Sequence, residues 1–171
     1  MDSLITIGDY APSFELSDLE GKPFALAALR GRIVVLNFWS VECNWCRRVD
    51  RELLNWMAQW GDQVVVAWIA ANSNEDLDLL KRTAMERHIP EVLIDAGQKV
   101  ADLYGAQTTP HFFVVDRQGT LRYQGAWDDI TFRQRSATRV YIPEVIEALI
   151  NDQPVEISQT AAYGCTIVRF T

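Results

Sequence analysis

An apolar, β-branched run from Ile33 to Phe38 is followed by a segment in which apolar residues recur at every third or fourth position. This change of period predicts a buried strand that runs through a turn into a helix over about residues 46–60, which Gly61 ends. The turn between strand and helix contains Cys43 and Cys46. The hydrophobic pattern therefore places two cysteines where a helix begins.

The remaining elements continue this alternation of strands and helices. A second apolar run, 64–70, precedes polar residues 72–74, which we expect to cap a helix that ends near His88, before Ile89 and Pro90. A short strand, a brief helix, a hairpin and a last helix are predicted at residues 92–94, 100–104, 111–124 and 140–150. This order predicts an α/β fold whose mixed sheet has a parallel part and an antiparallel edge.

The composition of the chain limits the number of domains it can form and the kinds of partner it can bind. Its 171 residues, 49% of them hydrophobic, are enough for one buried core, so we expect a single domain over 1–171 with a tail, 153–171, packed on it. The net charge of -7 and the lack of a Lys/Arg cluster argue against nucleic acid or a membrane surface as partner. Residues 1–9 lack the features of a secretion signal, and no apolar stretch could span a bilayer, which predicts a cytoplasmic protein.

The cysteines indicate redox chemistry. Three cysteines are too few for a disulfide framework, and an odd number cannot all be paired within the chain. A C-x-x-C beside a β-α-β pattern is instead typical of a redox site. The helix dipole and free N–H groups at a helix start favour a thiolate, which makes Cys43 the expected nucleophile and Cys46 the resolving thiol. A zinc site would need more ligands than His88, His111 and Cys165 supply in close pairs, so we expect no metal and no cofactor.

Three segments around the cysteine pair carry further motifs: residues 8–16 (GDYAPSFEL), residues 19–39 and residues 108–116 (TTPHFFVVD). Together they resemble the redoxins of the thioredoxin superfamily, the alkyl hydroperoxide reductase and thiol-specific antioxidant group, and are similar to bacterial thiol-disulfide oxidoreductases. The resemblance implies a thioredoxin-like fold, with a central mixed sheet flanked by helices and an N-terminal extension. It also implies that Pro110 is a cis-proline beside the cysteines and that the backbone of Thr109 can pair with an extended substrate.

The same resemblance implies thiol-disulfide exchange with a protein or small-molecule disulfide, a separate thiol reductant system, and a role in antioxidant defence and redox homeostasis. One departure is Asn37, which stands where thioredoxins usually carry a buried aspartate and cannot accept a proton. Proton transfer would then fall to water, Glu42 or another group. We expect the site to be lined by residues near the cysteines, with Trp45 and Trp39 exposed to substrate: Trp39, Ser40, Glu42, Asn44, Trp45, Thr109 and Pro110.

Two alternative functions stay open. In a peroxiredoxin-like peroxidase, peroxide would oxidise Cys43 to a sulfenic acid and Cys46 or Cys165 would close the disulfide. The Pro-x-x-x-Thr-x-x-Cys pattern of such sites is matched here by Leu36, Ser40 and Cys43, so only the hydroxyl is approximately kept. The other alternative is a redox-sensing module that binds a partner.

The third cysteine lies in the polar tail, after Gly164. Cys165 could be a third redox thiol that folds back and exchanges disulfides with Cys43 or Cys46. We favour the plainer interpretation, a free thiol or a packed tail strand, because isolated cysteines more often pack than react. For a similar reason His111, flanked by two phenylalanines, is expected to be structural.

Overall fold

A seven-stranded sheet forms the centre of the structure. The computed structural model describes residues 5–169, so residues 1–4, and residues 170–171 of the predicted tail, lie outside the described residues. The strands are β1 (Glu15–Asp18), β2 (Pro23–Ala25), β3 (Ile33–Trp39), β4 (Val64–Ala70), β5 (Val92–Ile94), β6 (Thr108–Thr109), β7 (His111–Val115), β8 (Leu121–Gly125) and β9 (Cys165–Thr166). The α-helices are α1 (Asn44–Trp60), α2 (Leu77–Arg87), α3 (Lys99–Tyr104) and α4 (Tyr141–Ile150).

The strand order of the sheet is β2-β1-β5-β4-β3-β7-β8. Strands β3, β4 and β5 are parallel, β7 and β8 add an antiparallel edge, and β1 joins β5 antiparallel on the other side. This confirms the predicted mixed sheet, and β1 and β2 are the N-terminal extension. The short strands β6 and β9 pair with each other outside this sheet.

Strand β3 lies in the middle of the sheet, and every one of its residues is buried. Its alternate side chains enter two apolar clusters, one shared with α1, α2 and α4 and the other with α3. Helices therefore cover both faces of the sheet. Because β3 is fixed on both faces, its carboxyl end holds the start of α1 in place.

The predicted end of α1 and the predicted end of α2 near His88 agree with the structure, but the predicted start of α2 does not. Helix α1 ends at Gly61, which has φ 62° and donates its N–H to the carbonyl of Met57. Helix α2 begins after Asp76, whose carboxylate accepts from the N–H of Leu79 at 2.8 Å. The expectation that residues 72–74 cap this helix is wrong, because the Asn72 side chain instead accepts from the N–H of Val168 at 2.9 Å.

The C-terminal segment returns across the molecule. Its Thr160 N–H donates to the carbonyl of Gln124 in β8, and Ile167 is 4% exposed in the cluster beside α3. Between these two contacts the segment forms β9 against β6. Among residues 5–169, none of the helices is long and apolar enough to cross a membrane.

Candidate active site

Cys43 is the N-cap residue of α1, directly after the turn that leaves β3. It is 2% exposed and forms a disulfide with Cys165, across 122 positions of sequence and with a Cα–Cα distance of 6.1 Å. The expectation of a free thiol at Cys165 is therefore wrong, whereas the packed tail strand is confirmed, because β9 pairs with β6. The tail does fold back, because β9 aligns Cys165 opposite Thr109 of β6.

The loop before β7 forms the wall beside Cys43. The Thr109–Pro110 peptide bond is cis, as the resemblance implied. The sulfur of Cys43 lies 3.0 Å from the carbonyl oxygen of Thr109, which can accept a hydrogen bond from the reduced thiol. The hydroxyl oxygens of Thr109 and Ser40 lie 3.1 Å apart, so Ser40 ties this wall to the end of β3.

Cys46 lies on the inner face of α1 and is fully buried as a free thiol. Burial raises the pKa of Cys46 to about 12 because it disfavours the thiolate, and the charges of Asp50 and Glu75 add to this effect. Hydrogen bonds from the Ser40 backbone and the Thr109 side chain act in the opposite direction. At neutral pH Cys46 is therefore a protonated thiol.

Asp50 is a buried acid that the sequence analysis did not identify. Its carboxylate accepts from the indole N–H groups of Trp39 and Trp68, each at 3.0 Å, and forms an ion pair with Arg87 at 3.3 Å. Burial raises the pKa of Asp50, although these three partners oppose the shift. Its spacing of four residues from Cys46, on an otherwise apolar helix face, was the signal that could have revealed it.

Glu75 is the second carboxylate near the cysteines. Its Oε2 accepts from the N–H of Val41 at 2.9 Å, and burial raises its pKa. Arg87 donates to the carbonyl of the same Val41 at 2.8 Å. The turn that carries Cys43 is therefore held by one acidic and one basic side chain from the region of α2.

The predicted lining residues divide into buried and exposed groups. The expectation that Trp39 is exposed is wrong, since it is 0% exposed and its indole binds Asp50. Glu42 and Asn44 are exposed, whereas Trp45 is half-buried beside the ring of Tyr163, with 4.8 Å between centroids. His111 is stacked on Phe113 at 4.5 Å, and burial lowers its pKa to about 4, which fits the predicted structural role.

Residues 7–124 match the model of the AhpC/TSA family, a stretch that includes the cysteine pair and the cis-proline loop. The chain belongs to the AhpC/TSA family. It is 34% identical over 118 residues to the thiol-disulfide oxidoreductase ResA of Bacillus thuringiensis strain Al Hakam. That match covers 67% of this chain and 66% of ResA, just under two thirds of the relative.

Similarity to solved structures extends beyond residue 124. A hypothetical protein of Sinorhizobium meliloti 1021 has a TM-score of 0.86 and 28% identity, covering 96% of this chain and 95% of its own. The thioredoxin domain of a thiol-disulfide oxidoreductase from Bacteroides vulgatus has a TM-score of 0.63 and 21% identity, covering 77% of this chain and 93% of its own. The fold is therefore thioredoxin-like, as the sequence motifs implied.

Proposed function

We propose that this chain is a thiol-disulfide oxidoreductase in which Cys43 is the nucleophile and Cys46 the resolving thiol. The observation that carries the proposal is the place of Cys43, at the N-terminus of α1 and already joined through sulfur to a cysteine on a paired strand. Unpaired N–H groups at a helix N-terminus stabilise a thiolate, which is the reactive form. Similarity to ResA supports the same activity.

The two cysteines of the pair have different environments, and this divides their roles. Cys43 is bonded to Cys165 of β9, the strand that pairs with β6, whereas Cys46 is enclosed in the core and has a raised pKa. Cys43 therefore attacks the substrate disulfide, and Cys46, three residues later, attacks the resulting mixed disulfide at Cys43. The substrate is a protein or small-molecule disulfide, a separate thiol system restores the dithiol, and the site of action is the cytoplasm.

Reduction of insulin by the full-length protein, with dithiothreitol as electron source, tests this proposal. We expect Cys43→Ser to abolish the activity and Cys46→Ser to accumulate a mixed disulfide at Cys43, visible as a mass increase. The exposed control Asp78→Asn on α2 should keep the wild-type rate. Insulin reduction by Cys43→Ser at the wild-type rate would disprove the assignment, and a wild-type protein that leaves insulin intact would favour the redox-sensing module.

A thiol peroxidase is the second candidate, and the Cys43–Cys165 pairing favours it. Hydroperoxide would oxidise the Cys43 thiolate to a sulfenic acid, which would condense with the Cys165 thiol and release water. Stopped-flow oxidation by hydrogen peroxide tests this path. A second-order rate no faster than that of a free cysteine excludes the peroxidase, whereas a fast rate with turnover lost in Cys165→Ser supports it.

A further inference from the structure

The tail occupies the position that a substrate strand would need. Strand β9 is antiparallel to β6, with Cys165 opposite Thr109 and Thr166 opposite Thr108. Any disulfide attacked by Cys43 must bring its sulfur to the place where the Cys165 sulfur now lies, beside the Thr109 carbonyl. The Cys43–Cys165 bond therefore has the form of a mixed disulfide between the enzyme and a peptide of its own chain.

We propose that residues 163–166 are a tethered pseudosubstrate, and that the groove they fill selects cysteine-containing extended peptides with glycine before the cysteine and an aromatic residue before that glycine. This inference rests on the proposed thiol-disulfide activity and names its substrate class. The positions of Gly164 and Tyr163 in the groove each set a separate requirement for the sequence of a substrate peptide.

The position before the cysteine requires glycine because it lies directly against the cis-proline loop. A Cβ atom built on Gly164 would collide with the carbonyl group of Thr109 and would lie 3.0 Å from Cδ of Pro110. The φ of Gly164 is outside the left-handed region, so lack of space, not backbone conformation, excludes larger residues. A substrate with a side chain here could not approach β6 closely enough to pair with it.

The position one residue earlier is an aromatic slot. The Tyr163 ring meets Trp45 edge-to-face at 4.8 Å, and its hydroxyl accepts from the N–H of Phe132 at 3.0 Å. The guanidinium of Arg48 lies 5.8 Å from the Trp45 ring and is fixed by two hydrogen bonds of 2.9 Å to Asp128. This slot combines a flat apolar wall with a donor for a phenolic oxygen.

The tail is held beyond Cys165 by contacts that do not involve the disulfide. The Gln98 side chain donates to the carbonyl of Val168 at 2.8 Å and to that of Ala71 at 2.8 Å. Gln98 adopts φ 60°, a conformation that residues with a Cβ rarely adopt, and Ile167 is buried beside α3. The tail thus competes with external peptides even when Cys165 is reduced.

Release of the tail needs no outside oxidant or reductant. The Cys46 sulfur, after losing its proton to solvent, attacks Sγ of Cys43, forms the Cys43–Cys46 bond and breaks the Cys43–Cys165 bond. Cys165 leaves with the electron pair as a thiolate and takes up a proton. One disulfide and one thiol are present before and after this step, so it is an isomerisation.

The test uses the full-length Cys46→Ser/Cys165→Ser variant, in which Cys43 is the one remaining cysteine. The probe is the peptide Ala-Tyr-Gly-Cys-Thr-Ile, with its cysteine joined to thionitrobenzoate, and attack by Cys43 releases the coloured thiolate. Two control peptides replace the glycine with valine or the tyrosine with alanine. The tail is still present in this variant and competes equally with all three peptides. The ratio of their reaction rates therefore measures the selectivity of the groove. Mass spectrometry verifies that the peptide, not thionitrobenzoate, is retained on Cys43.

We expect the parent peptide to react at least about tenfold faster than either control. Equal rates for the three peptides, with normal reaction of Cys43 with Ellman's reagent, would overturn the pseudosubstrate while leaving the oxidoreductase proposal intact. If Cys43 does not react with Ellman's reagent until the protein is unfolded, this result would instead overturn the proposed function. If serine at buried position 46 prevents folding, Cys46→Ala serves in its place.

Discussion

Asp50 lies one turn of α1 after Cys46, and its buried charge contributes to the high pKa of that thiol. Well below a pKa of about 12, the thiolate fraction of Cys46 increases about tenfold for each unit of pH. In Cys165→Ser, Ellman's reagent should therefore release thionitrobenzoate in two phases, first by reaction at Cys43 and then by attack of Cys46. The rate of the second phase should rise about tenfold per pH unit between about pH 6 and 9.

The Cys46→Ser/Cys165→Ser variant is the control for this experiment and should show the first phase alone. A second phase whose rate levels off above about pH 8 would mean that Cys46 ionises near its ordinary pKa, which contradicts the effect of burial described above.

Replacing Asp50 with asparagine should change both the stability and the second phase. Asp50→Asn leaves the partly buried guanidinium of Arg87 without its charged partner, which should reduce the free energy of unfolding by about 3 kcal/mol. It also removes a negative charge near Cys46, so at equal pH the second phase should become faster. Urea unfolding measures the first effect and thionitrobenzoate release the second. The control Asp78→Asn, at an exposed position of α2, should change neither the free energy of unfolding nor the rate of the second phase by much. Equal values of these two quantities in Asp50→Asn and Asp78→Asn would contradict the prediction.

His111 should make stability depend on pH. Its pKa is lowered to about 4 in the folded state, so between about pH 6.5 and 4 the unfolded chain binds a proton that the folded chain does not. This contribution is complete above the unfolded pKa and is lost as the pH falls, by about 2 kcal/mol between pH 7 and 5. Chemical unfolding at both pH values should show a correspondingly smaller loss in His111→Gln. His88→Asn, which changes the exposed second histidine, should keep the wild-type loss.

Asn37 lies in the middle of β3, fully buried, and neither its amide nitrogen nor its oxygen has a hydrogen-bond partner among the described residues. Leucine has the same number of side-chain heavy atoms and removes the buried polar group, so Asn37→Leu should leave the free energy of unfolding unchanged or raise it by about 1 kcal/mol. Urea denaturation measures this, with the exposed Asn55→Leu on α1 as control. A loss above about 1 kcal/mol in Asn37→Leu would contradict this prediction.

The sequence predicted the elements that local patterns define. The change from an apolar run to helical spacing located β3 and α1, and glycine marked the end of α1 at Gly61. The motif of residues 108–116 implied the cis bond before Pro110. These features depend on short stretches of chain, so a single sequence is sufficient to find them.

Features that depend on distant contacts were missed. The partner of Cys43 lies 122 residues away, so the sequence offered this pairing only as the less favoured alternative. Trp39 was expected to be exposed because it precedes the cysteine turn, but β3 is buried on both faces, so alternation along the strand gives no sign of exposure. The helix cap was expected at residues 72–74, yet the Asn72 side chain binds the backbone of Val168, a contact that depends on the return of the tail from 96 positions away in sequence.

The anchoring of the tail by Gln98 and Ile167 has a kinetic consequence. A thiol attached to the same chain and held near its target acts at an effective concentration of about millimolar. A disulfide supplied at micromolar concentration would meet a competitor roughly a thousand times more abundant at the site. In a dilute assay, departure of the tail rather than sulfur chemistry at Cys43 would then limit turnover, and substrates that reach high local concentrations would be processed first.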